Sequence, residues 1–439
     1  MNTILAGFSE KDISPEYPVP GRLGINHIIN PHHEIKAKAA AMENETGRFL
    51  FIVCEIVGLT ISENTNIRKQ INEETGIPIE NIVITCTHTH ASPWIWDLQA
   101  EMARKFGYEV LDVPWMDKVM TNAAKAGIEA LSKMNECRVL YGEAMTEGIV
   151  SNRVDPVTRW SICADDEIRN APEGIVDKAV RTITFTDKKG IPLFMFTNLA
   201  CHPTAYGGGK TLKVSPDFPY IAERHLKEKY NENLVVAYWQ GCAGNINSGK
   251  YIREGSEEEV EASGRRFFEA IDAAFLTSKE LDAGKVSYKY EKLSLPVGEF
   301  VKKPEEAFEY FEEYCRLIEE KGEADDHDVH NWRRRLKQLD VSVLSGGKSM
   351  EMELQLLRMG EADMLFVPGE WYVQMYMELA SGYKKRKLIV TTVNNFDLLY
   401  IPDEGSMHNK EWYGVKTDMR SLGDESAIRL FERAKDFIS

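Results

Sequence analysis

Ten histidines occur in the 439 residues, and three of them close apolar, strand-like runs. The segment IVITCTHTHASP (82–93) is a β-branched run that ends in His88, Thr89 and His90. Side chains alternate along a strand, so the spacing predicts both imidazoles on one face at a strand end. There they can share one site. The segment FTNLACHPTAYGGGK (196–210) repeats the arrangement. Its apolar strand, 193–199, leads to His202. Pro203 then stops the strand, and Gly207, Gly208 and Gly209 let the backbone turn or approach a ligand closely. Imidazoles gathered in this way suit a metal ion. The expected chemistry is hydrolysis at one zinc ion per chain, held around His88, His90 and His202.

Two more segments offer oxygen donors. MLFVPGEWYVQM (364–375) runs through a Pro-Gly turn to Glu370. That carboxylate is either a ligand or an acid that complements a helix N-terminus, and the spacing alone favours the helix role. TTVNNFDLLYIPDEG (391–405) places Tyr400 after a strand. By type and position Tyr400 reads as a core or surface residue. His27, His32, His33, His225, His327, His330 and His408 carry no comparable pattern.

Strands and helices must hold these residues. β-branched apolar runs predict strands at 49–56, 82–86, 139–141, 179–185, 192–199, 234–239, 286–295, 350–359, 364–367 and 388–393. Helical periodicity predicts helices at 62–74, 114–133, 219–230 and 256–276, the last opened by the capping-box pair Ser256 and Glu259. Alternation of the two predicts a mixed α/β fold, β-sheets with flanking helices. The charged, aromatic-rich stretch 304–339 reads as a helical insertion. We expect a single domain spanning 1–439.

The chain has 53 Lys and Arg against 69 Asp and Glu, a net charge of −16. Such a surface is repelled by phosphate backbones and anionic membranes, so a small-molecule substrate is expected and a nucleic acid is not. No apolar stretch reaches the roughly 18–20 residues of a membrane-spanning helix. The opening MNTILAGFSEKDISPEYP lacks the basic start and long apolar core of a secretory signal. Seven scattered cysteines without a C-x-x-C pair read as reduced thiols. The expected location is cytoplasmic.

Taken in order, several motifs together resemble the neutral/alkaline, non-lysosomal ceramidase family in its N-terminal catalytic domain. They are GFSEKDISP (7–15), the THTH segment with its Ser-Pro, Asn152-Arg153 and ACHPT with the later SPDFP (215–219). GCAGNIN (241–247), VPGE (367–370) and NNFDLLY (394–400) complete the set. The resemblance implies a zinc-dependent amidase of the kind that cleaves the N-acyl bond of ceramide. It implies His88, His202, Glu370 and Tyr400 as metal ligands, with His90 and Arg153 beside the reacting group. A shell of two imidazoles, a carboxylate and a phenolate suits zinc, which brings the pKa of bound water toward ~7.

Three departures bear on substrate. Trp94 and Trp96 stand where the family has glycines, and with Tyr206 they are expected to shape a substrate pocket narrower than a long acyl chain needs. Asn245 and Asn247 replace the Asp and Ser of a family motif, which removes a serine nucleophile and favours water activated by zinc. A counterpart of the family's extra C-terminal β domain is not expected. The leading expectation is therefore hydrolysis of an amide or related acyl bond in a small soluble substrate. The alternative keeps the metal and acts on a sugar or polyol, by glycosidic cleavage or isomerisation, because aromatic rings also suit such faces.

Overall fold

Strands buried on both faces run as nearly continuous apolar sequence, and several of the described strands do so. The computed structural model describes residues 3–16, 19–20, 28–93, 113–153, 172–206, 213–252, 256–284, 286–321, 341–384, 386–395, 399–410, 415 and 420–439. The main sheet contains β1 (Thr3–Asp12), β2 (Lys36–Asn44), β3 (Gly47–Cys54) and β4 (Ile82–Cys86). It continues with β5 (Asn135–Met145), β6 (Ala179–Thr186), β7 (Pro192–Leu199) and β8 (Val235–Gln240). Their order is β8-β7-β6-β5-β1-β2-β3-β4. A second sheet holds β9 (Val286–Pro296), β10 (Ser349–Met359), β11 (Ala362–Phe366) and β12 (Lys387–Thr391) in sequence order.

Alternate residues of each strand enter different cores. Leu50, Ile52, Ile82 and Ile84 pack under α1 (Ile61–Thr75) and α2 (Val113–Ser132). Met195, Leu199, Val236 and Tyr238 pack under α3 (Phe218–Lys229) and α4 (Glu257–Leu276). The opposite face, with Phe51, Val53, Phe196 and Trp239, meets Met364, Phe366 and Ile389 of the second sheet. Phe196 stacks on Trp239 at 3.7 Å between ring centroids. The outer face of the second sheet, with Leu354, Leu356 and Val390, is covered by α6 (Val373–Gly382) and α7 (Asp424–Ile438). Helices thus flank two packed sheets, the mixed α/β class expected. The predicted insertion begins as α5 (Pro304–Lys321); 322–340 lie outside the described residues.

Three parallel pairs matter for the site. β3 and β4 are joined through α1, β7 and β8 through α3, and β11 and β12 through α6. Each pair ends in register: Cys54 beside Cys86, Leu199 beside Gln240 and Phe366 beside Thr391. The main sheet coils until β8 comes back against β2, β3 and β4. The chain leaving β12 then spans the carboxyl ends: Thr392 N donates to Gln240 O at 2.9 Å, and Asn395 N to Ile84 O at 2.7 Å. Carboxyl ends of parallel strands are where open α/β sheets bind ligands.

Several elements differ from expectation. β1 and β2, with the sequences TILAGFSEKD and KAKAAAMEN, carry Ala, Lys and Glu that disfavour strands on their own. Pairing on both sides overrides that weak preference, and small alanines let α2 lie close. α6 and α7 were also not foreseen. α7 is amphipathic, and its Leu430, Ala434, Phe437 and Ile438 are buried.

Lys38 of β2 is 1% exposed and ion-paired with Glu55 and Glu223, and it donates to Val236 O at 2.8 Å. One ammonium therefore ties β2 to α3, to β8 and to the chain after β3. Lys38→Met leaves the buried Glu55 carboxylate without its cation and Glu223 with Lys227 alone. It is expected to lower unfolding free energy by about 3–5 kcal/mol in a denaturant titration; an unchanged midpoint contradicts this role.

Candidate metal centre

β4 stops at Cys86, and the chain turns at once. Thr87 N donates to Cys54 O and His88 N to Ile56 O, both at 3.0 Å. His88 lies in the left-handed region at φ 62. The alternation expected for His88 and His90 on a strand therefore does not hold, because neither residue is in one. Carbonyls at the end of β3 capture the chain and bend it. The turn still brings the two rings together, with centroids 5.2 Å apart. Beyond β7, His202 donates its N–H to Ile246 O at 3.2 Å and pairs with Asn247. Its ring lies 4.8 Å from that of His88 and 5.6 Å from that of His90.

Glu370 does not cap a helix. It stands in the two-residue strand Glu370–Trp371, parallel to Tyr400–Ile401, with Glu370 and Tyr400 as register partners. α6 starts only at Val373, after Tyr372 as N-cap. The carboxylate is 3% exposed, and Oε2 lies 3.4 Å from His88 Nε2 and 3.0 Å from His202 Nε2.

The other ring nitrogens settle the proton positions. His88 Nδ1 is 2.6 Å from Val57 O, and His202 Nδ1 is 3.0 Å from Ile246 O. A carbonyl only accepts, so both Nδ1 atoms carry hydrogen. Burial, helped by the Arg153 charge, depresses His202 to about 4, so its ring is neutral at pH 7 and Nε2 presents a lone pair. For Glu370, burial pushes the carboxyl up, but the two imidazoles hold it well below the ordinary range. With hydrogen on Nδ1 and burial opposing a second proton, His202 cannot donate from Nε2 to Glu370. A lone pair then faces an anion, and a cation between them turns repulsion into ligation. Donating the far nitrogen to a carbonyl also orients a ligating imidazole and raises its basicity.

Side-chain donor atoms of His88, His90 and His202 all lie within 4.8 Å of one another, the one such group among the described residues. Glu370 lies close to the ring nitrogens of His88 and His202. Two candidate shells therefore share His88 and His202 and differ in His90 or Glu370.

Arg153, 8% exposed, closes another side. Its Nη2 donates to Gly244 O at 2.7 Å and to Tyr400 Oη at 2.9 Å, and its backbone N donates to Asn245 O at 2.8 Å. Asp155, an alternative partner on sequence grounds, lies outside the described residues, as do Trp94 and Trp96. Tyr206 is buried, and its hydroxyl donates to Glu257; its ring lies near His32 and His33.

Sequence reasoning missed the residues that brace the site. Asn245 accepts from Val373 N at 2.9 Å and donates to Gln374 Oε1 at 2.7 Å, which pins α6 to the 241–247 loop. A Cβ on Gly244 would lie 2.4 Å from Glu370 O, so this glycine permits the approach of the Glu370 backbone. Among the described residues, five other than glycine have positive φ: His88, Asp217, Val393, Asn395 and Leu399. His88 lies in the cluster, Leu399 precedes Tyr400, and Val393 and Asn395 shape the turn after β12. Asp217 accepts from Tyr206 N at 2.9 Å and steadies the chain beyond His202. Such conformations cost about 1–3 kcal/mol each and persist where surrounding contacts enforce them.

No protein-family model and no curated protein sequence matches the chain. Two solved structures are similar to it. One is neutral ceramidase from Pseudomonas aeruginosa, at TM-score 0.73 and 15% identity, covering 99% of this chain and 73% of that one. The other is a ceramidase complexed with C2, at TM-score 0.72 and 14% identity, covering 99% and 74%. At so low an identity the likeness concerns architecture, and on it the chain has the neutral-ceramidase fold.

Proposed function

We propose that the chain is a zinc-dependent hydrolase that cleaves an amide or related acyl bond of a small soluble substrate, working as one domain over 1–439. The observation that carries this reading is the buried Glu370 carboxylate facing Nε2 of His88 and of His202, with both Nδ1 atoms committed to carbonyls. We assign His88, His202, Glu370 and Tyr400 as ligands in preference to a three-histidine shell. Glu370 brings the negative charge that a dication needs in a buried site. The ceramidase names of the structural neighbours support amide chemistry.

A bound zinc ion supplies Lewis acidity and lowers the pKa of water. The chain's own residues do the rest. Arg153 stays charged at any working pH and is suited to hold a developing oxyanion. Its contacts with Gly244 O and Tyr400 Oη fix the guanidinium before substrate arrives. His90, only partly buried, is suited to pass a proton through its ring nitrogen to the leaving nitrogen. Among the described residues no helix is long and apolar enough to cross a membrane, which accords with a substrate met in water.

Elemental analysis of purified protein is expected to find one zinc per chain. The His88→Ala, His202→Ala double variant and Glu370→Gln should lose it, and His90→Ala should keep it. Retention in Glu370→Gln with loss in His90→Ala would transfer the assignment to the three-histidine shell. Gly244→Ala should weaken zinc binding in a chelator competition, because the new Cβ displaces the Glu370 backbone; unchanged affinity contradicts that close approach. In a screen of short N-acyl amides, Arg153→Met is expected to lower kcat by about 10²–10³-fold with zinc retained. Turnover of glycosides but of no amide would instead establish the sugar alternative.

A further inference from the structure

Glu55 is a buried carboxylate outside the proposed ligand shell, 4% exposed, directly after β3. Both of its oxygens are engaged. Oε2 accepts from Lys36 N at 2.8 Å, and Oε1 accepts from Lys38 Nζ. Its own N–H donates to Lys36 O at 2.9 Å. Residue 55 is thus fastened to β2 by its backbone and by both carboxylate oxygens. Directly beyond it the chain presents two carbonyls to one histidine: Ile56 O takes His88 N, and Val57 O takes His88 Nδ1. Val57 N is held in turn by Ser92 Oγ at 3.2 Å.

A carboxylate in this position is more than a generic tether. His88 sits at φ 62, a conformation that surrounding contacts must impose. The Ile56 and Val57 carbonyls impose it, and the Val57 carbonyl also fixes which ring nitrogen carries hydrogen. We infer that Glu55, clamped by Lys38, is a positioning residue that sets the aim and tautomer of His88 toward the metal. This inference rests on the metal-site reading. Lys38 has a second carboxylate partner, Glu223 on α3, which itself pairs with Lys227 at 2.8 Å. Substituting Glu223 perturbs the same ammonium without touching the 55–57 turn. Substituting Glu55 leaves Lys38 paired through Glu223.

The test compares full-length wild type, Glu55→Gln and Glu223→Gln. Zinc affinity is read by chelator competition, the cobalt(II) absorption spectrum reports ligand geometry, and thermal unfolding of metal-free protein reports stability. Glu55→Gln is expected to weaken zinc binding by about 10–100-fold, the usual effect of losing an outer support, and to change the cobalt spectrum. Glu223→Gln is expected to leave both as in wild type even where it lowers the melting temperature. Zinc binding by Glu55→Gln equal to wild type overturns the inference, as does an equal loss in both variants. If Glu55→Gln does not fold, Ser92→Ala loosens the same turn at Val57 N. Weaker zinc binding there supports the role, and unchanged binding overturns it. A wild type that binds no zinc overturns the metal reading and this inference together, whereas normal wild-type binding with an unaffected Glu55→Gln overturns this inference alone.

Discussion

A buried carboxylate cannot rest against an imidazole lone pair without a positive charge between them. Glu370 faces Nε2 of His202 in that way and lies 3.4 Å from Nε2 of His88, in a region where each is at most 3% exposed. Isolated buried charge is costly, and the cost is met by pairing or by coordinating a metal. Arg153 adds a fixed positive charge that reaches His202, and its Nη2 donates to Gly244 O and Tyr400 Oη. On the proposed reading the donor set holds a cation of its own, and much of the surrounding structure keeps that set from relaxing.

The fold does this by bringing parallel strand ends to one place. Each of the three strand-helix-strand units ends its two strands in register, and the coil of the main sheet draws the outer pairs together. The chain beyond β12 then laces the ends with backbone hydrogen bonds. Side chains arrive from turns at those ends, which is why the strained residues cluster there. The rigidity comes from the apolar layers behind, where Phe51, Phe196, Trp239 and Phe366 pack between the sheets.

The apolar runs at β3, β4, β7 and β8 were legible in the sequence because burial on both faces leaves a β-branched or aromatic signature. β1 and β2 were not, since their pairing depends on neighbours far along the chain. At the site, the membership of His88, His90 and His202 in one cluster could be read from strand-end histidines. The reason given for it failed locally, because the turn at Thr87 replaces the strand that alternation assumes. Glu370 looked like a helix acid because the Pro-Gly turn hides the two-residue strand that follows. Tyr400 rested on family resemblance, and its register with Glu370 is a tertiary fact that no spacing reveals. Glu55 acts on segments far along the chain, so nothing in its own neighbourhood marks it, and the motif around Asn245 did not reveal that this residue holds Val373 N and Gln374. The Gly244 contact with Glu370 was hidden in the same way, by a distance of more than a hundred residues along the chain.

The measurement that bears most directly on this account is anomalous diffraction from crystals of the full chain at the zinc absorption edge. The account predicts one peak at about 2.0–2.2 Å from Nε2 of His88, Nε2 of His202 and a Glu370 oxygen. A peak coordinated by His90 with Glu370 turned away, or zinc-supplied crystals with no peak among these residues, would contradict it.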